Sequence, residues 1–500
     1  MPLRPDERMS PPWNVLQASR DSVPVDANAG AASTGGCLAG HQPYGRYLEV
    51  DVPFQNHDEL ERFNRVTSGF TGITMKDSGN YYKTTTNYDL DAASLTSDQT
   101  ADVCVIGGGY TGVNTAIELA ERGIDVVLLE ANEIGWGGSG RNGGQVICGV
   151  GHEPELIKQH LSSDEFSQLF GMGLEAVQTL KGRIDKYDIQ CDFNWGYCTV
   201  AYDQKRLSAL KEMQDFLKQQ DYPFETRLLE GDALHQVVRG EPYVGGLLDR
   251  GSGYLHPLNL VQGEAMAAQA LGVRLYQNTA VERVEKGNKV VVHTSGGKVT
   301  ANTLVYACNA YLDGLESHLD ERFVTTNAFS IATEPLTDDQ IRAFMPARAA
   351  ICDNRPVIDY YRLSADNRLL FGGATHFLEY LPRDLEGHLR KNLRKVFPQL
   401  ADIGVDHAWS GRMALGANLF PQVGQLPGHP NIFFAQGYAG FGVAPSHLIA
   451  KSLAKAISGE AGHFDILSRV KHSRILAARP LNALWVTGGK CWHQIEAKLH

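Results

Sequence analysis

Gly107, Gly109 and Gly112 stand in a G-x-G-x-x-G spacing, with Tyr110 and Thr111 between the second and third glycines. The first glycine of such a set permits a tight turn and the second lets backbone approach a diphosphate. The third lets a helix pack closely on a strand, and the diphosphate rests on the helix N-terminus. Glu130 follows 18 residues past Gly112, where a carboxylate can accept hydrogen bonds from ribose hydroxyls. A glycine turn with a purely structural role would not explain that acid. Ala131 and Asn132 offer no cation for a 2′-phosphate, so a dinucleotide site is predicted and NADP is disfavoured.

The fingerprint alone does not separate FAD from NAD. Two further segments bear on that choice. Ile134 to Gln145 contains Gly135, Gly137, Gly138, Gly140, Gly143 and Gly144, with Ser139, Arg141, Asn142 and Gln145 among them. Backbone so free of side chains suits a flat ring system and a ribityl chain, although a solvent loop would also be glycine-rich. Gln436 to Pro445, containing Gly440, Phe441, Gly442 and Val443, leads into a helix. N–H groups at such an end would stabilise the negative charge that collects on the pyrimidine side of a reduced flavin.

These residues need positioning elements, and the pattern supplies them. Val103 to Ile106 reads as a buried strand, Thr111 to Arg122 as a helix ended by Gly123, and Val126 to Leu129 as a second buried strand. A strand–helix–strand run implies a parallel sheet. Further along, Gln204 to Lys218 reads as a polar helix. Val290 to Val299 reads as a hairpin turning at Gly296 and Gly297, feeding a strand Thr303 to Ala307. A second hairpin is expected over Val357 to Gly372, turning at Ala365 to Asn367. Ile432 to Ala435 is a strand, and a helix is expected from Ser446 to Ser458.

The 500-residue length makes two or more domains the sensible expectation. The formal charge is -11, a field that repels nucleic acid and anionic membrane, although acidity also serves solubility. Eight cysteines are scattered without CxxC pairing or metal-like clustering, which suits a reducing compartment and no metal. No apolar stretch approaches the ~18 residues of a membrane span, no secretory signal is visible, and a cytoplasmic protein is expected. Residues 1–76 are rich in Gly, Ala, Ser, Pro and Asn and bury too little apolar surface to fold alone. They read as a disordered arm or a start assigned too early, with Met75 near their end and a polar stretch, Lys76 to Asn87, leading inward.

The chain resembles the D-amino-acid-oxidase-type family of FAD amine oxidoreductases over about residues 78–480, and within it the γ-glutamylputrescine oxidoreductases. Ala101 to Gly112, Ser139 to Gln145, Cys308 to Leu315, Ile358 to Gly373 and Phe434 to His447 carry the likeness. The resemblance implies an α/β fold: a discontinuous Rossmann-like FAD domain (77–160, 250–315 and 408–465) and an α+β substrate domain with a mixed sheet (161–249 and 316–407). Residues 466–500 would be a tail. It also implies that Gly107, Gly109 and Gly112 hold the diphosphate and Glu130 the ribose. Ser139, Gly140, Arg141, Asn142, Gly143, Gly144 and Gln145 would lie along the ribityl chain and isoalloxazine. Val281 would hold adenine by its backbone, and Gly440 to Val443 the pyrimidine. Relatives that attach flavin covalently use a cysteine in the segment matching Gly411 to Leu415 or a histidine in that matching Gly137 to Gly140. Neither is present, so the FAD is expected to be noncovalent. No lysine stands near Leu370, where sarcosine oxidases activate oxygen, which leaves oxygen or another electron acceptor open.

The expected reaction is oxidation of an amine such as γ-glutamylputrescine, by hydride transfer from carbon to flavin N5, to an imine that hydrolyses. Such chemistry depends on positioning and on a neutral nitrogen rather than on a triad. Oxidation of glycine or sarcosine is the alternative, and an NAD-linked dehydrogenase is a more distant one that leaves Gly440 to Val443 unexplained. Tyr360 and Tyr361 occupy adjacent strand positions and face opposite sides of a sheet; one could cap an amine or line the flavin face, or both could be packing. Arg362 could bind a carboxylate or be an exposed strand charge. His256 recurs near the flavin in the family pattern, with a structural histidine as the competing reading. Trp195, Tyr197 and Trp409 are candidate pocket walls or core residues.

Overall fold

The computed structural model describes residues 79–475 except 153, 377–380 and 461. The arm expected over 1–76 lies outside the described residues.

Two sheets organise the described chain. The first runs in the order Gln422–Leu426, His429–Gln436, Gly297–Tyr306, Gln99–Ile106, Val126–Leu129, Arg274–Tyr276. The last five strands are parallel, and Gln422–Leu426 is antiparallel to its neighbour. Val103 to Ile106 and Val126–Leu129 are buried throughout, which is why they read as unbroken apolar runs rather than alternations. The hairpin between Val290–Thr294 and Gly297 forms as expected. Its second strand and the strand expected over Thr303 to Ala307 are a single element, because Gly297–Tyr306 pairs along its length with Gln99–Ile106.

Between the first strand and the fingerprint helix, Tyr110–Ala120, the chain turns at Gly107 with φ +110°. A Cβ there would lie 2.6 Å from the Ala307 carbonyl oxygen, and one on Gly112 would lie 1.9 Å from that of Gly107. Only glycine fits at either position. The C-terminal helix, Val443–Ile457, begins three residues before the expected Ser446. Pro445 does not delay it, since a first-turn residue needs no N–H.

The second sheet is mixed, in the order Val405–Leu415, Val324–Pro335, Arg368–His376, Tyr360–Leu363, Ala350–Asp353, Asn194–Ala201, Gly245–Tyr254, Gln145–Val146, with Thr226–Leu229 beside Gly245–Tyr254. Ala350–Asp353 runs parallel to Asn194–Ala201 and the other pairs are antiparallel. Val405–Leu415 and Gly245–Tyr254 lie wholly in this sheet, so the boundaries expected at 408 and 250 fall inside strands. At the other end, the tail expected from 466 starts inside a helix, His463–Arg469, whose Phe464 packs 5.6 Å from the Phe433 ring. Among the described residues no helix is long and apolar enough to cross a membrane.

Candidate active site

The three glycine-rich segments meet in space. Ser139 Oγ accepts from the Tyr110 backbone N–H at 2.9 Å, joining the second segment to the start of the fingerprint helix. Thr111 Oγ1 lies 2.7 Å from the Tyr438 hydroxyl, joining that same turn to the third segment. Neither the fingerprint helix nor the C-terminal helix is capped by the side chain of its N-cap residue, because those residues are Gly109 and Gly442. Such helix ends carry N–H donors and partial positive charge.

Glu130 closes its strand with its carboxylate turned toward the fingerprint loop. It accepts from the Gly108 N–H at 2.7 Å and the Asn132 N–H at 2.9 Å. Burial raises its carboxyl above the ordinary range, and those N–H donors pull the other way. Thr279 donates its backbone N–H to the Glu130 carbonyl at 2.8 Å, and Val281 opens the strand Val281–Glu285 just beyond. The expected ribose ligand and the expected adenine-side backbone are therefore neighbours, with Ala131 between Glu130 and Asn132.

The loop Gly138 to Gly144 is held through its carbonyls. Asn142 Nδ2 donates to Gly138 O at 3.0 Å and Ser139 O at 2.9 Å, while its Oδ1 accepts from Gly144 N at 2.8 Å. Asn80 Nδ2 donates to Gly140 O at 3.1 Å, Trp409 Nε1 to Arg141 O at 3.0 Å, and Arg362 Nε to Gly143 O at 2.8 Å. Arg141 is buried, with Nε on Trp136 O at 2.6 Å, and a Cβ on Gly411 would lie 3.2 Å from its Cβ. Gln145 donates to Ile351 O at 3.0 Å and pairs with Tyr254, carrying the loop into the second sheet. In the third segment Gly440 takes φ +85°, and the Phe441 ring packs 5.1 Å from His152. Braced glycine backbone, two helix ends whose N-cap residues are glycines and a strand-end carboxylate fit FAD, and the residues named here would hold it.

Tyr360 and Tyr361 do face opposite ways. Tyr361 is buried in the far core, donating to the Tyr243 hydroxyl at 2.9 Å and stacking on Phe371, so it is a packing residue. Tyr360 joins Tyr197, Tyr254, Cys352 and Ile147 in a small cluster on the other face. A Cβ on Gly143 would lie 2.7 Å from its ring, so it abuts the glycine loop. Burial raises its phenol to about 12, keeping it neutral. Arg362 is not an exposed strand charge: it is buried, and beside Gly143 O it reaches the Tyr82 hydroxyl at 3.2 Å. Its guanidinium carbon sits 5.5 Å from the Tyr254 ring. A carboxylate clamp would have to displace those bonds.

His256 has a structural task. Its Nδ1 accepts from the Asn259 N–H at 3.1 Å, capping the helix Pro257–Ala270, so Nε2 carries the proton and faces Thr85 Oγ1 at 3.1 Å. Burial, then the charge of Arg362, push it down to about 3. Trp409 is a brace rather than a pocket wall, and Trp195 meets Phe193 edge-on and stacks on Phe224. Asn80, Tyr82, His152 and Tyr254 were missed. Asn80 and Tyr82 lie in the polar stretch Lys76 to Asn87, and its Asn-Tyr-Tyr run is the signal: Asn80 caps a short helix, Tyr81–Thr84, whose two tyrosines are buried.

Comparison with known proteins gives a consistent answer. The family described as DAO, FAD dependent oxidoreductase, matches residues 102–456. The chain is 36% identical over 423 residues to a γ-glutamylputrescine oxidoreductase of Escherichia coli, covering 84% of this chain and 99% of that one. It is 38% identical over 410 residues to a probable oxidoreductase OrdL of Haemophilus influenzae, covering 81% and 94%. In fold it is similar to the crystal structure of glycine oxidase from Geobacillus kaustophilus, with TM-score 0.63, 18% identity and coverage of 75% and 99%.

Proposed function

This chain belongs to the FAD dependent oxidoreductase family, and from that premise we propose that it oxidises a γ-glutamylated diamine or a similar amine at the carbon beside nitrogen. Bound FAD supplies a two-electron acceptor; the amine loses a hydride and a proton, and the resulting imine is hydrolysed. Oxygen or another acceptor then takes the electrons from the reduced protein.

The observation that carries this reading is the tyrosine cluster Tyr197, Tyr254 and Tyr360 beside the buried charge of Arg362. Neutral aromatic walls exclude water and orient a C–H bond without competing for a proton. The fixed guanidinium charge disfavours a second cation nearby, as it already does for His256. An amine seated there is held neutral, the form that can surrender hydride. Binding energy from a remote γ-glutamyl head can be used to orient the distal C–H bond, so removing the head lowers the rate constant of reduction as well as the affinity.

Anaerobic stopped-flow bleaching of the bound flavin tests this without reference to the acceptor. γ-Glutamylputrescine should bleach it faster at saturation than putrescine, glycine or sarcosine. If glycine or sarcosine is fastest, the amino-acid oxidase reading replaces this one, and if no amine bleaches the flavin the amine assignment fails.

A further inference from the structure

Glu264 lies in the middle of the helix Pro257–Ala270 and is fully buried. Its two carboxylate oxygens divide between two other helices. Oε2 accepts from Asn114 Nδ2 at 2.9 Å, and Oε1 lies 2.6 Å from His447 Nε2. Asn114 and His447 are also fully buried. Each reaches back one turn along its own helix, Asn114 Nδ2 to Tyr110 O at 2.9 Å and His447 Nδ1 to Val443 O at 2.7 Å. Tyr110 and Val443 are the first residues of the two helices that open on the glycine segments. One carboxylate therefore ties together the first turns of both.

The proton count makes this tie electrically quiet. His447 Nδ1 faces a carbonyl and must carry a proton. A second proton lies between Nε2 and Oε1, and whichever atom holds it the pair has no net charge. A node that acts through position rather than field is what this arrangement provides.

We propose that Glu264 is a positioning residue for the cofactor, holding the diphosphate-facing and pyrimidine-facing helix ends in one register. This rests on the FAD reading above. Losing the tie lets the two ends drift apart, so FAD binds more weakly. The C-terminal helix end stabilises charge that exists only on the reduced flavin, so its drift weakens the reduced form more than the oxidised.

The test measures flavin release from holoenzyme on dilution, together with the two-electron midpoint potential. Glu264→Leu cuts both arms and should weaken FAD binding tenfold or more. A further tenfold loss for reduced FAD appears as a fall of about 30 mV. Glu264→Gln can accept from Asn114 and donate to a neutral His447, so it should rescue affinity to within twofold and leave the potential unchanged. Asn114→Ala cuts only the fingerprint arm; it should weaken both redox forms alike and leave the potential where it was. The proposal is overturned if Glu264→Leu lowers thermal stability while affinity and potential stay at wild-type values, since the node is then helix packing alone. It is equally overturned if Glu264→Gln behaves like Glu264→Leu. Should Glu264→Leu fail to fold, wild-type FAD affinity in Asn114→Ala decides against it. A wild-type protein that carries no FAD would instead sink the cofactor reading itself.

Discussion

Replacing Glu130 by alanine removes two hydrogen bonds already made and those expected to ribose. The bonds from Gly108 at 2.7 Å and Asn132 at 2.9 Å hold the fingerprint loop against the strand end. Both donors are backbone N–H groups, Gly108 buried and Asn132 half-buried, so part of the loss falls on the loop itself. The bonds expected to the ribose hydroxyls are lost as well. Hydrogen bonds to a charged group contribute about 1.5 to 3 kcal/mol, so the alanine variant should bind FAD roughly ten to a hundred times more weakly. Flavin fluorescence released on serial dilution of the holoenzyme measures this. Burial holds the carboxyl above its ordinary range, while ribose donors favour its ionised form. Acidification should therefore weaken FAD binding starting above the usual glutamate value of about 4.3, and Glu130→Gln should flatten that dependence. Unchanged affinity in Glu130→Ala would show that the carboxylate braces the loop and does not hold ribose.

Three further outcomes are expected. His256, held down to about 3, binds no proton in the fold between there and its ordinary value near 6.5, whereas the unfolded chain does. Stability should thus fall as pH drops below 6.5, by about 1.5 to 2 kcal/mol by pH 5; His256→Asn keeps a helix cap and should lose that slope in urea melts, and an unaltered slope would refute the assignment. Acid precipitation should release the flavin, since the positions of covalent attachment lack cysteine and histidine; colour left on the pellet would contradict this. A chain beginning at Met75 should keep FAD, whereas one beginning at Asn87 loses Asn80 and Tyr82 and should release it readily; equal retention would show that the loop needs no bracing from that side.

The cofactor half of the site was legible because its chemistry is written in consecutive residues. Glycine is required where a Cβ would fall within 3 Å of neighbouring backbone, and spacing alone reveals it at Gly107 and Gly112. The substrate half comes from residues far apart in sequence, and strand alternation shows only that Tyr360 and Tyr361 part company. Which one meets the glycine loop depends on the register of Tyr360–Leu363 against Arg368–His376 and Ala350–Asp353, which periodicity does not fix.

Arg362 shows the same limit more sharply. A strand arginine with no visible partner reads as an exposed charge or a ligand clamp, since burying an unpaired guanidinium is costly. Its partners are the Gly143 carbonyl, 219 residues away, the Tyr82 hydroxyl, 280 residues away, and the neighbouring Leu363 carbonyl, none of them acidic. Neutral hydrogen-bond acceptors leave Arg362 its positive charge, which acts on both His256 and Asp192, and under the proposed function that charge would help hold the amine neutral. A carboxylate partner would have held Arg362 equally well and removed the field that keeps a neighbouring base neutral. It follows that introducing a carboxylate beside it, as in Tyr82→Glu, should slow reduction of the flavin that stays bound most at low pH, where the bound amine would regain its proton. Stopped-flow reduction at saturating amine between pH 6 and 9 measures this. A variant whose limiting rate varies with pH just as that of the wild type does would mean that the buried charge plays no part in holding the amine neutral.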